Sequence, residues 1–354
     1  MKLPRTLKKH LSFLLVSCIA AAAAFAAAAP PLLQAPHAAA PVLTVAQDGS
    51  GDFKSVSQAV DALPATGGTI RIRAGVYREL IRVTKPNVRF IGLGKEPSEV
   101  VLTYDLSHYD IGTTFGSAST DVSGDDFHAE NLTFQNSFTD EHPDARTDTQ
   151  AVALHVTGDR AVFHRVRFLG YQDTLYAETR NCRNMPAPAP CLASRQYFSD
   201  CYVEGTVDFI FGDAKAVFEN CEIHGKAQRD TVYFTAQSKF FAQEDSGYVF
   251  DHCRLTADPG VQHAFLGRPW RVYSTVVYLN TEMDAPIDPA GWLEWLHDGA
   301  SGLATSFYAE YDSSGPGGDT SKRIPQAKVL TAAEAAAFDP HTFLAGPDHW
   351  HPTQ

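Results

Sequence analysis

Five short segments of this chain share a pattern that narrows the possible folds more than any other feature. They are Phe127-His-Ala-Glu-Asn-Leu132, Phe163-His-Arg-Val-Arg-Phe168, Phe198-Ser-Asp-Cys-Tyr-Val203, Phe218-Glu-Asn-Cys-Glu-Ile223 and Phe250-Asp-His-Cys-Arg-Leu255. Each starts on Phe and carries an apolar residue five positions later. In the last four a Val or Cys stands three positions after the Phe, at Val166, Cys201, Cys221 and Cys253. Short β-type units with recurring apolar positions cannot bury those positions singly, so they stack into a solenoid. Alternation in Thr69-Ile-Arg-Ile-Arg73 and Val88-Arg-Phe-Ile91 carries the strand pattern toward the start of the chain. No alternation of strands with helices is visible. Two short helices are predicted, Ser55 to Leu63 and Thr331 to Phe338, placed to cap the solenoid ends. The expected fold is all-β, a parallel β-helix with short capping helices.

The Phe positions are separated by 36, 35, 20 and 32 residues. One coil of a three-sided β-helix takes about 20 residues. The longer intervals therefore predict loops thrown out from the coils, and loops gathered on one face commonly build a binding site. The clearest is Ala177 to Arg195, which contains Cys182, Cys191 and three prolines. A disulfide between Cys182 and Cys191 would stiffen it. Cys201 and Cys221 fall at the same position of consecutive coils, which lie about 4.8 Å apart. That separation suits a second disulfide and leaves Cys253 unpaired; the alternative is a stack of buried thiols.

The first 40 residues differ from the rest. Lys2, Arg5, Lys8 and Lys9 precede an apolar stretch from Leu11 to Ala29, followed by a Pro/Ala-rich linker. This is the form of a signal peptide with its linker, and it predicts a protein secreted to the extracellular space after cleavage. Leu15-Val16-Ser17-Cys18 also has the form of a bacterial lipobox, so an outer-membrane lipoprotein anchored through Cys18 is the alternative. A stable membrane span is not expected, because alanine dominates the stretch. No composition break follows, so residues 41–350 are read as one domain, expected to act as a monomer. The formal net charge is −12 and no basic run follows the leader, which excludes a nucleic-acid partner.

Two aspartates stand out when the repeat is used as a ruler. Asp173 lies ten residues after Phe163, and Asp208 ten residues after Phe198. If the Phe positions stack, the two carboxyl groups face each other at about one inter-coil step. Two carboxylates so close cannot both ionise readily, which yields one charged group and one protonated acid. Each alone would be read as an ordinary turn residue. Both, however, sit among aromatic and aliphatic neighbours, in Gly170-Tyr-Gln-Asp-Thr-Leu-Tyr176 and Gly205-Thr-Val-Asp-Phe-Ile-Phe-Gly212.

With these segments in view the chain resembles the pectinesterases, also called pectin methylesterases. Five blocks carry the resemblance: Gly75-Val-Tyr-Arg-Glu79, Gln150-Ala-Val-Ala-Leu154, Gly170-Tyr-Gln-Asp-Thr-Leu175, Asp208-Phe-Ile-Phe-Gly212 and Leu266-Gly-Arg-Pro-Trp270. Weaker matches include Gly112-Thr-Thr114 and Thr235-Ala-Gln237. The Ala177–Arg195 loop looks like the bacterial branch. The resemblance implies a right-handed parallel β-helix acting on methyl-esterified polygalacturonate. It implies Asp208 as nucleophile, Asp173 as general acid and base, Gln150 and Gln172 as oxyanion donors, and Arg268 as partner of the Asp208 carboxylate. Trp270 and Phe211 are implied as surfaces for sugar rings, with Thr114, Tyr171 and Val207 as further substrate contacts. No cofactor or metal is implied, and no Cys or His spacing suits zinc. A serine hydrolase is disfavoured because no Gly-x-Ser-x-Gly elbow is present. The competing readings are a different pectin-active β-helix enzyme, a pectinesterase-like lipoprotein acting on another ester or thioester, and a non-catalytic sugar-binding solenoid.

Overall fold

A computed structural model describes residues 40–180, 193–297 and 299–353. The leader with its linker, Cys18, and the Cys182–Cys191 pair lie outside the described residues. Residues 40–354 form one compact unit.

That unit is a right-handed parallel β-helix. Among the described residues, three long parallel sheets of eleven, eight and six strands run along it. Successive strands visit the first, second and third sheet in turn. One coil, for example, takes Arg195–Ser199, Tyr202–Gly205 and Ile210–Gly212. The anticipated Phe column forms in register from Phe163 through Phe198 and Phe218 to Phe250. Its rings lie parallel, with centroids 4.7, 4.5 and 4.7 Å apart. Tyr278 continues it at 4.6 Å. These side chains are fully buried, so each adds apolar burial and an offset stacking contact on both faces.

From strand His128–Glu130 onward, the turn out of the first sheet uses one residue at positive φ in each coil. These are Asn131, Arg165, Asp200, Asn220, His252, Asn280 and Asp312. Asn and Asp tolerate this left-handed conformation better than most side chains, and they fill five of these seven places.

Several expectations need correction. Phe127 is not in the column: Phe163 pairs with Ala129, and Phe168 with Phe134 rather than Leu132. The first segment was thus aligned two residues early, because a small Ala occupies the position where later coils have Phe. Cys201 and Cys221 do not form a disulfide; they and Cys253 are free, buried thiols. Parallel in-register strands keep the two Cβ atoms a full strand step apart, about 4.8 Å, beyond the usual Cβ separation of about 3.8 Å in a disulfide. Each thiol instead faces backbone carbonyls, Cys201 those of Phe163 and Ser199, Cys221 those of Phe198 and Glu219.

The N-terminal helix spans Val56–Ala62 and is capped by Ser55, whose hydroxyl accepts from the Gln58 N–H. The C-terminal helix Ala332–Ala335 carries a capping box of Thr331 and Glu334. It does not close the end of the solenoid. Leu330, Ala335 and Leu344 pack sideways on the outer face of the first sheet, against Tyr197, Val217, Val249, Val277 and Ala309. That row is apolar in register over five coils, and this segment covers it.

Candidate active site

The two aspartates occupy equivalent places on neighbouring coils. Strand Leu175–Ala177 pairs with Ile210–Gly212 through Leu175 and Ile210, so Asp173 and Asp208 both stand two residues before matched positions. The Asp173 N–H donates to the Val207 carbonyl at 3.1 Å, which ties the coils together at this level. Both aspartates have positive φ, 63° and 52°. They are therefore turn residues, as the plainest reading had it, and are also nine-tenths or more buried. A left-handed backbone at a buried acid suits a site held in place by its surroundings.

Arg268 arrives from a third coil. Its Nε and Nη2 donate to the two Asp208 oxygens at 2.8 and 2.7 Å, a bidentate pairing. The guanidinium lies between two aromatic rings, 4.3 Å from the centre of Tyr233 and 4.4 Å from that of Trp295. The loop can come this close because residue 267 has no side chain. A Cβ on Gly267 would stand 2.1 Å from Thr235 Oγ1. The backbone then binds strand Thr235–Gln237, with Arg268 N–H to Thr235 O at 3.0 Å and Trp270 N–H to Gln237 O at 3.2 Å.

This asymmetry separates the two acids. Burial, then the charge of Asp208, pushes the Asp173 carboxyl well above its ordinary range. Burial also pushes Asp208 upward, but the Arg268 guanidinium pulls it back. Asp208 thus loses its proton first and Asp173 keeps its own.

A cavity of about 330 Å³ opens over the pair. Of the ten residues singled out in the sequence, eight line it: Thr114, Gln150, Gln172, Asp173, Asp208, Phe211, Arg268 and Trp270. Gln172 Oε1 accepts from Thr149 Oγ1 at 3.3 Å, which leaves its amide N–H groups to point elsewhere. Gln150 carries a buried amide oxygen with no partner among the described residues. Phe211 and Trp270 meet edge to face at 5.8 Å.

Two of the ten lie outside this cavity. Tyr171 lines a separate cavity, where its hydroxyl donates to Asp140 at 2.6 Å and Lys226 lies over its ring. Val207 contributes its carbonyl to the Asp173 N–H and does not line the cavity over the acids. Residues missed in the sequence are Phe115, Ala236 and Trp295 in the cavity wall, and Tyr233 against Arg268. Ala236 is within reach of the sequence, since it stands in the Thr235-Ala-Gln237 match. Trp295 and Tyr233 carry no repeat signal.

A stacked pair of buried acids, one clamped by arginine, in an aromatic cleft on a parallel β-helix has the form of a hydrolase site with paired aspartates. The pectinesterase family profile matches residues 42–347, and the chain belongs to that family. It is 40% identical to pectinesterase 31 of Arabidopsis thaliana over 317 residues, covering 86% of this chain and 92% of that protein. Among solved structures, pectin methylesterase from carrot shares 37% identity with a TM-score of 0.76, covering 86% of this chain and 93% of that one. Pectin methylesterase PemA from Erwinia chrysanthemi shares 30% with a TM-score of 0.72, covering 88% and 97%. The identities thus lean toward the plant enzymes rather than the bacterial branch. The chain spans about half the length of other plant relatives, 51% of pectinesterase 1 from Citrus sinensis.

Proposed function

We propose that this protein hydrolyses the C6 methyl ester of galacturonate units in pectin, releasing methanol and pectate, with Asp208 as nucleophile. The observation that carries the reading is the bidentate Arg268–Asp208 pair with Asp173 in register beside it.

The charged Asp208 oxygen attacks the ester carbonyl carbon and forms a tetrahedral oxyanion. The amide groups of Gln150 and Gln172 line the same cavity. As donors to the oxyanion each can contribute about 3 kcal/mol. Asp173, held protonated, gives its proton to the methoxy oxygen; the C–O bond breaks and methanol departs. An anhydride between Asp208 and C6 remains. Asp173, now a carboxylate, takes a proton from water while the hydroxide attacks C6. The anhydride opens, Asp208 is restored as carboxylate, and the new carboxylic acid ionises into solvent. Phe211 and Trp270 offer faces for the sugar rings.

The basic, then apolar leader supports export, with the mature protein acting outside the cell. Residues 41–350 would then be the catalytic domain of a monomer.

Methanol release from methylated pectin by the wild type and by Asp208→Ala tests the reaction. The wild type should release methanol and the variant none, with its fold intact by circular dichroism. Wild-type-like turnover in the variant refutes Asp208 as nucleophile.

A further inference from the structure

A largely enclosed ionisable group that the proposed reaction does not use lies two coils along the sheet from Phe211 in the wall of the same cleft. Along the outward face of the third sheet, six residues stack in register: Arg82, Asp121, His155, Tyr176, Phe211 and Ala236. The last two line the cavity over the aspartates. His155 is hydrogen-bonded at both ring nitrogens to carboxylates, Nδ1 to Asp121 at 2.8 Å and Nε2 to Glu178 at 2.9 Å. Both nitrogens can bear protons only in the imidazolium form, so the geometry itself calls for the cation. The ring stacks on Tyr176 with centroids 4.4 Å apart and planes 16° from parallel. Tyr176 stacks on Phe211 at 4.3 Å and 8°. The Tyr176 hydroxyl donates to the other carboxylate oxygen of the same Glu178, at 2.5 Å. The charged clamp and the aromatic floor of the cleft are therefore one connected structure.

We propose that His155 is a positioning residue for substrate: as an imidazolium held between Asp121 and Glu178, it fixes the buried Tyr176 ring and through it Phe211, which lines the cavity over the acids. This inference depends on the pectinesterase reading and extends it. The groups facing the ring are Asp121 and Glu178 at its nitrogens, Tyr176 on its face and, beyond Asp121, Arg82. Arg82 Nη1 is turned to the carbonyls of Ile81 and Ser119. Burial opposes the charge, but the two carboxylates outweigh it and hold the imidazolium up to about pH 9. The raised value sets the sign. The clamp is intact below the ordinary histidine range and is lost as pH rises through about 9.

The test measures kcat and KM separately for methylated pectin, from pH 7 to 10, in the wild type, His155→Gln and His155→Arg. Gln fills part of the space without charge; Arg keeps a positive charge throughout. At pH 7 the Gln variant should raise KM about tenfold, the worth of one to two aromatic stacking contacts, with kcat little changed. The wild-type KM should climb through pH 9, and the Arg variant should abolish that climb. An unchanged KM in the Gln variant overturns the proposal. So does an equal fall in kcat that Arg does not restore. If the Gln variant fails to fold by circular dichroism, the wild-type and Arg profiles decide: parallel KM curves overturn the proposal, divergent ones uphold it. No methanol from the wild type overturns the esterase reading and this inference with it. Normal wild-type turnover with flat KM values sinks this inference alone.

Discussion

Asp173 and Asp208 hold equivalent left-handed positions on adjacent coils, yet it is Asp208 that meets the forked guanidinium of Arg268. Two chemically identical residues in near-identical backbone settings are thus divided into an ionised group and a protonated one by a side chain 60 residues further along.

Asp173→Asn is expected to separate activity from stability. Losing the proton donor should lower kcat by about 10²–10⁴-fold, the usual contribution of general acid–base catalysis. The native Asp173 carboxyl titrates well above its ordinary range. The unfolded chain therefore gives up this proton at lower pH than the native state, and stability falls as pH rises from the ordinary carboxylate range through the native pKa. A neutral amide removes that cost. Thermal unfolding at pH 7 should show the variant more stable by about 0.5–2 kcal/mol; a less stable variant counts against a buried acid held protonated.

Arg268→Lys should move the acidic limb of the rate profile. The guanidinium pulls the Asp208 carboxyl down against burial, and an ammonium on a flexible stem supplies one point contact in place of two. Asp208 should then protonate at higher pH, and the acidic limb of kcat/KM should shift upward. The cation–π contacts to Tyr233 and Trp295 weaken too. A rate profile with the wild-type acidic limb contradicts the role given to Arg268.

Phe218→Ala tests the aromatic column far from the chemistry. Its ring is fully buried between Phe198 and Phe250. Truncation should cost about 3–5 kcal/mol in urea unfolding, the range for a buried Phe that leaves a cavity. A loss under about 1 kcal/mol would mean that the coils close over the gap.

The thiol stack has a direct chemical check. Peptide mapping after alkylation in urea, without reductant, should find Cys201, Cys221 and Cys253 all modified. The folded protein should resist, since burial keeps the Cys201 and Cys253 thiols protonated. Recovery of a crosslinked Cys201–Cys221 peptide would reinstate the disulfide expected from spacing alone.

Much of this molecule could be read from its sequence where the coil repeat is strict. From Phe163 to Phe250 the repeated Phe, Asn/Asp and Val/Cys positions report real stacking, so Asp173 and Asp208 could be set side by side by counting. Reading failed where size varied at a conserved station. Ala129 fills the place of a Phe, so the alignment slipped to Phe127. Counting carries less at turns. A residue at positive φ breaks the alternation of side chains, and Tyr171, two before Asp173, faces Asp140 and Lys226. Tyr233 and Trp295 are invisible for another reason: Tyr233 stands on a short strand paired in register with His263–Phe265, apart from the positions that the Phe segments mark, and Trp295 borders a short antiparallel hairpin. The Cys201–Cys221 spacing was read correctly, but the inference overlooked that parallel neighbours aim their Cβ atoms the same way.

Because Asp173 and Asp208 are aligned by the hydrogen-bonded step between coils, their separation does not depend on the 34 residues of chain that run between them. The reactive geometry is a property of the amide lattice, and the intervening excursion is left as free ground. Insertions or deletions there can accumulate while the acids keep their spacing. A scaffold of this type can lengthen or shorten a connection between coils with no redesign of the chemistry.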